Sequence, residues 1–167
     1  MGPILLSWIS TSFLLAIAPL MIPFGRLSDI YGRKKIFLAG LFLLLVASLL
    51  IAISDSGAMI IACRALQGIS SAMIWATVIP IMVAAVPIGE RGHVLGLATA
   101  ATYFGLSAGP FLGGIITHYL GWRFIFWLNI PLSMALLAVT YFTFEGDQKK
   151  AQGEKFDLFG ALLLGGG

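Results

Sequence analysis

IFLAGLFLLLVASLLIAI, residues 36–53, carries no charged side chain and is built mostly from Leu, Ile, Phe and Ala. A hydrocarbon core about 30 Å thick is crossed by roughly 20 apolar residues in an α-helix. Residues 36–53 match that length and have no hydrophilic face to turn toward water. The stretch therefore predicts a membrane-spanning helix.

Four similar runs surround it, and a fifth begins near the end of the chain. The first span is expected from about Leu5 to Phe24, with Pro19 and Pro23 inside it. Pro19 predicts a kink, because a proline in a span frees a backbone carbonyl that neighbouring helices must satisfy. The third runs from about Gly57 to Pro87 and contains Arg64, Gln67 and Pro80; the fourth is the glycine-dense Val94 to Thr117. The fifth is Phe124 to Phe144, with Trp122 and Trp127 near its start, where aromatic rings favour the membrane interface. The expected organisation is five transmembrane helices over residues 1–144, a polar cytoplasmic loop over 145–157, and the start of a further helix over 158–167. The fold class is all-α, a polytopic transmembrane bundle. Both ends are abrupt: Met1 opens almost inside a span and Gly165, Gly166 and Gly167 close inside another, so a fragment or truncated reading frame is expected. The first run lacks a preceding basic segment and a small-residue cleavage site, unlike a signal peptide.

Composition agrees. Of 167 residues, 59% are hydrophobic and 10% charged, with a mean hydropathy of +1.01. A soluble domain carries about 25% charged residues. The net charge of +3 does not point to nucleic acid, because the basic residues lie in short segments between apolar runs. They act instead as orientation signals. Arg26, Arg33, Lys34 and Lys35 follow the first span, Arg91 the third, and Lys149, Lys150 and Lys155 the fifth. On the other side only Arg123 is basic, and Arg64 lies within a span. The first, third and fifth loops are thus expected to be cytoplasmic. The single cysteine, Cys63, excludes an intrachain disulfide and reads as a small packing residue.

Three stretches carry more than topology. In GRLSDIYGRKK, residues 25–35, two spans must reverse direction; Gly25 and Gly32 allow tight turns, and Asp29 can pair with Arg33 or cap a helix. On composition alone this is a basic turn with an incidental acid. In ACRALQGISSA, residues 62–72, Arg64 lies about seven residues into an apolar run, roughly 10 Å deep at 1.5 Å per residue. A cation there costs about 2.5–3.5 kcal/mol on insertion scales. It either snorkels to the interface or faces a polar cavity. Gln67 shares its helical face, and Gly68 leaves room for a neighbouring helix. In GLSAGPFLGG, residues 105–114, Gly105, Gly109 and Gly113 recur every four residues and form a groove that lets helix backbones touch, with Pro110 as a kink site and Gly114 widening it. Close packing of helices alone also accounts for this pattern.

The order of residues in these stretches resembles the major facilitator superfamily. Gly25, Leu27, Asp29, Gly32, Arg33 and Lys34 fill the family's G-x-L-x-D-x-x-G-R-[KR] pattern between its second and third helices. The resemblance implies a cytoplasmic gate in which Asp29 and Arg33 form a charge cluster. Arg64, Gln67 and Gly68 match the fourth-helix motif, whose arginine is linked to proton coupling; Ser70 stands where that motif often has a further glycine. Gly105, Gly109, Pro110, Gly113 and Gly114 match the G-x-x-x-G-P-x-x-G-G pattern of the family's antiporters, which its sugar symporters and uniporters generally lack. GWRFIFWLNIP, residues 121–131, and FDLFG, residues 156–160, are similar to segments of the fourteen-helix drug:proton antiporters. Taken this way, the five spans correspond to helices two to six of that branch.

Enzyme chemistry finds no support. His93 and His118 fall on opposite sides of the membrane, no Cys or His spacing fits zinc, and no phosphate-binding loop is present. No metal and no cofactor are expected. Trp75, Tyr103 and Phe104 either line a substrate cavity or pack. The resemblance implies efflux of lipophilic or cationic compounds in exchange for protons by alternating access. The expected partners are a small-molecule substrate, protons, the lipid bilayer and the missing helices of a longer transporter, with no nucleic acid; the expected location is a prokaryotic cytoplasmic membrane. The competing readings are another transporter of the superfamily, a symporter or uniporter, and a non-transporting membrane anchor or interaction module.

Overall fold

The computed structural model describes residues 3–143, and all of its regular structure there is helical. The helices are α1 (Pro3–Tyr31), α2 (Arg33–Ala52), α3 (Gly57–Ala84), α4 (Arg91–Leu120) and α5 (Arg123–Thr143); a single 3-10 turn, Ile88–Glu90, precedes α4. All five are long and apolar enough to cross a membrane. Phe144, the polar stretch 145–157 and the apolar run from 158 lie outside the described residues.

The boundaries follow the sequence reading closely except at the first turn. Residues 25–35 are not a loop. α1 runs on through Arg26 and Asp29 to Tyr31, and one residue, Gly32, separates it from α2. Gly32 has φ 104° and ψ 129°, a conformation that a residue with a Cβ resists. That single break reverses the chain, so the second glycine is not needed for the turn: Gly25 lies within the helix with open space where a Cβ would go. Between α4 and α5 two residues, Gly121 at φ 86° and Trp122, make the break.

Contacts fix the relative directions. Ile9 packs with the Ile60–Cys63 cluster, Phe13 lies against Arg64 and Gly68, and Ala16 also faces Gly68. Residue numbers rise together, so α1 and α3 run parallel. Between α2 and α3 the order is opposed: Ile51 meets Ile60, Ser48 meets Gln67, and Gly40 meets Met73. α2 also packs on α5, and their termini pair in antiparallel order, as Lys34 reaches Tyr141 while Asp55, just beyond α2, reaches Arg123. α1, α2, α3 and α5 thus form a bundle in which α3 packs against α1 and α2, and α5 packs against α2. Among the described residues, α4 touches only α3, α5 and the short turn before it, and buries no residue.

The interior is unusually polar. Ser28, Ser48, Ser54, Gln67, Ser70, Thr77, Ser133 and Thr140 are all buried, while large apolar side chains such as Phe104, Phe111 and Phe142 stand at the surface. In water this arrangement would be unstable; in lipid it is the expected one. Hydrocarbon tails give apolar side chains no reason to leave the surface, and helices associate through small and polar residues. Cys63 is buried with Ile51 and Ile60, and Ile9, Leu50, Trp122 and Phe126 pack around this cluster.

Candidate functional site

The bundle converges on Arg64. It is half-buried in α3, two turns from the end that follows Asp55. Its Nη1 donates to Gln67 Oε1 at 3.1 Å, one turn deeper in the same helix. The spacing of three residues places the two on one face, as the sequence predicts. Gln67, itself buried, donates from Nε2 to Ser48 Oγ of α2 at 3.0 Å. The guanidinium lies 5.4 Å from the Phe13 ring centroid of α1 and 5.7 Å from that of Phe126 of α5. Cation–π contacts of this kind contribute about 0.5–1 kcal/mol when exposed and about 2 kcal/mol or more when desolvated.

One polar atom in this cluster is unsatisfied. Among the described residues, Arg64 Nε is buried and has no hydrogen-bond partner. A buried N–H without a partner costs about 1–3 kcal/mol, more when the group is charged. Snorkelling would carry the guanidinium toward the Asp55 end. It is instead tied to a residue farther from that end, between two aromatic rings. The arrangement can hold a positive charge inside the bundle and leaves one donor for an incoming acceptor.

Each end of the bundle has its own charged contact. At the Gly32 end Arg33 donates to Asp29 Oδ1 from Nη2 at 2.9 Å and from Nε at 3.2 Å. Both side chains are partly exposed. Lys34 Nζ reaches the Tyr141 carbonyl at 3.2 Å and lies 5.8 Å from its ring, joining the first turn to the end of α5. At the opposite end Arg123 Nη2 donates at 2.8 Å both to Asp55 Oδ1 and to the Ser54 carbonyl, and its guanidinium lies 4.6 Å from the Trp122 ring. Sequence reasoning missed this pair. The signal was available: Asp55 and Arg123 are the charged residues of the two short connections on that side. It also missed Ser48, Phe13 and Phe126, which look like ordinary span residues until the packing of α1, α2 and α5 brings them to Arg64 and Gln67.

The glycine groove of α4 stands apart from this cluster. A Cβ added at Gly105, Gly109, Gly113 or Gly114 would meet nothing within 4 Å, and Pro110 is exposed beside them. The close helix contact that the groove predicts is absent among the described residues. Gly68 and Gly40 are where helices do approach closely: a Cβ on Gly68 would lie 2.5 Å from the Phe13 carbonyl oxygen, and one on Gly40 would lie 3.0 Å from Met73 and Ile74. Trp75, Tyr103 and Phe104 are all exposed, Phe104 the most.

Comparison with known proteins agrees with this helical architecture. The family model of the Major Facilitator Superfamily matches residues 1–164. An uncharacterized MFS-type transporter of Mycobacterium tuberculosis is 36% identical over 133 residues, covering 80% of this chain and 19% of that protein. The cephamycin export protein CmcT of Amycolatopsis lactamdurans is 33% identical over 168 residues, covering 99% of this chain and 35% of its own length. Multidrug resistance protein 3 of Bacillus subtilis is 34% identical over 161 residues, covering 95% and 31%. The chain therefore spans between 19% and 35% of the length of these relatives. With five membrane-spanning helices, a family match over nearly its whole length and relatives of this kind, the chain belongs to the major facilitator superfamily of membrane transporters.

Proposed function

We propose that this chain forms the second to sixth helices of a fourteen-helix proton-coupled antiporter, which exports lipophilic or cationic compounds across a prokaryotic cytoplasmic membrane. The observation that carries the reading is Arg64: a guanidinium held inside the helix bundle by Gln67, Phe13 and Phe126, with a buried N–H to spare. A cation in that position is costly and marks an ion or substrate pathway. Arg64 and Gln67 would set the protonation of an acidic group in the transport path. The Asp29–Arg33 pair, with Gly25, Gly32 and Lys34, would gate the cytoplasmic end by forming and breaking as the bundle rocks. The open groove of Gly105, Gly109, Pro110, Gly113 and Gly114 would seat a helix from the rest of the transporter. Residues 145–157 would be a cytoplasmic loop and 158–167 the start of the next span. Two relatives named for cephamycin export and for multidrug resistance support an export function.

A symporter or uniporter of the same superfamily is the second reading. The α4 glycine–proline pattern weighs against it, because it resembles antiporters. The test is proton flux from vesicles containing the complete transporter and loaded with a pH indicator. Adding a lipophilic cationic dye to the side from which it is taken up should drive protons out toward that side. Protons moving with the dye would establish symport, dye movement without protons a uniporter, and no dye movement an anchor or interaction module.

A further inference from the structure

We infer that Ser48 is a positioning residue for proton-linked export: it fixes the side-chain amide of Gln67 so that its oxygen, and not its nitrogen, faces Arg64. The inference rests on the antiporter reading above and names a residue that acts through Gln67.

A guanidinium can only donate hydrogen bonds. Gln67 therefore holds Arg64 Nη1 only when it presents Oε1, as it does at 3.1 Å. The other end of the amide, Nε2, must then find an acceptor away from Arg64, in a site where Gln67 is 3% exposed. Ser48 Oγ supplies it at 3.0 Å, and Ser48 is fully buried. The neighbouring buried hydroxyls do something different. Ser70 donates to the Gln67 carbonyl and Thr77 to the Met73 carbonyl, both within α3. The Ser48 contact crosses from α2 to α3 and holds a side chain that in turn holds a cation. Without it, Gln67 Nε2 is buried and unpaired, and nothing on the α2 side holds the amide in the orientation that presents Oε1 to the guanidinium. Arg64 then loses the bond that holds it between Phe13 and Phe126, and its spare Nε–H moves from its place.

The test uses the complete transporter in vesicles and measures dye-dependent proton flux across a range of pH for equal amounts of inserted protein. Ser48→Ala should lower the flux at the wild-type optimum by roughly three- to tenfold, the worth of one hydrogen bond, and should displace the pH of half-maximal exchange. Ser48→Thr, which keeps the hydroxyl, should restore the wild-type pH. In a Gln67→Leu background Ser48→Ala should add nothing. A merely structural role would scale the flux equally at every pH and add to the Gln67→Leu loss; either result overturns the inference. Should Ser48→Ala fail to insert, Ser48→Cys retains the volume with a much weaker acceptor, and an unchanged pH profile in that variant overturns the inference equally. A wild-type transporter that moves dye without protons overturns the antiporter reading, and this role with it.

Discussion

At Gly68 the backbones of α1 and α3 come so close that an added Cβ would lie 2.5 Å from the Phe13 carbonyl oxygen and 2.7 Å from the Ala16 Cβ. Neither atom is at the end of a flexible side chain, so the helices themselves would have to separate. Gly68→Ala should therefore destabilise the bundle by about 1–3 kcal/mol, the usual cost of overpacking. The midpoint of thermal unfolding in detergent should fall, whereas Gly25→Ala, with nothing within 4 Å of its Cβ among the described residues, should not lower it. Equal midpoints for the two would mean that α1 and α3 do not meet at Gly68. The sequence could show that Gly68 makes room for a helix, and that Gln67 shares a face with Arg64, because both follow from the period of one helix. It could not show that Phe13 is the neighbour, or that Ser48 accepts from Gln67. Those contacts depend on how α1 and α2 are rotated and shifted against α3, which no local period encodes.

Among the elements, α4 differs most from its neighbours. The other four helices bury small and polar residues against one another, while α4 buries none and leaves its glycine face open. The same span gave the sharpest sequence pattern, and the pattern predicted a close helix contact. A groove read from one helix does not say which helix fills it. The consequence can be separated experimentally. Within the five helices alone, Gly109→Leu should not lower the thermal midpoint, because a Cβ at Gly109 meets nothing within 4 Å among the described residues and α4 is exposed there. In the complete transporter it should abolish dye export, since a bulky side chain would hold apart two helices that pack through the groove, and Gly109→Ala should be milder. Export by Gly109→Leu at the wild-type rate would mean that this face of α4 meets lipid. The first turn teaches the converse. Two glycines in residues 25–35 suggested a loop, yet one glycine at positive φ suffices to reverse the chain and the helix simply continues to it.

Across the whole molecule, the five described helices were legible because each contains a long run of mostly uncharged residues, and the bilayer allows few other forms for such a run; the end of α1, where charged residues continue the helix, was not. The end-to-end contacts give the bundle two distinct poles: Asp29, Arg33 and Lys34 with Tyr141 at one, Asp55 and Arg123 at the other. Arg26, Arg33, Lys34 and Lys35 all cluster at the first pole, which the positive-inside rule assigns to the cytoplasm. In a Cys63→Ala background, a cysteine replacing Ser56 should react with a membrane-impermeant thiol reagent in intact cells, and one replacing Lys34 should not; the reverse labelling would invert the orientation. The proposal that Arg64, half-buried in α3, couples export to protons turns on one comparison. Vesicles containing equal amounts of inserted wild-type transporter or Arg64→Ala are given a cationic dye under an imposed pH gradient, and dye accumulation is followed. The wild type should accumulate dye, the accumulation collapsing when the gradient is discharged, and Arg64→Ala should accumulate none above background. Gradient-driven accumulation by Arg64→Ala at the wild-type rate would rule out a coupling role for Arg64.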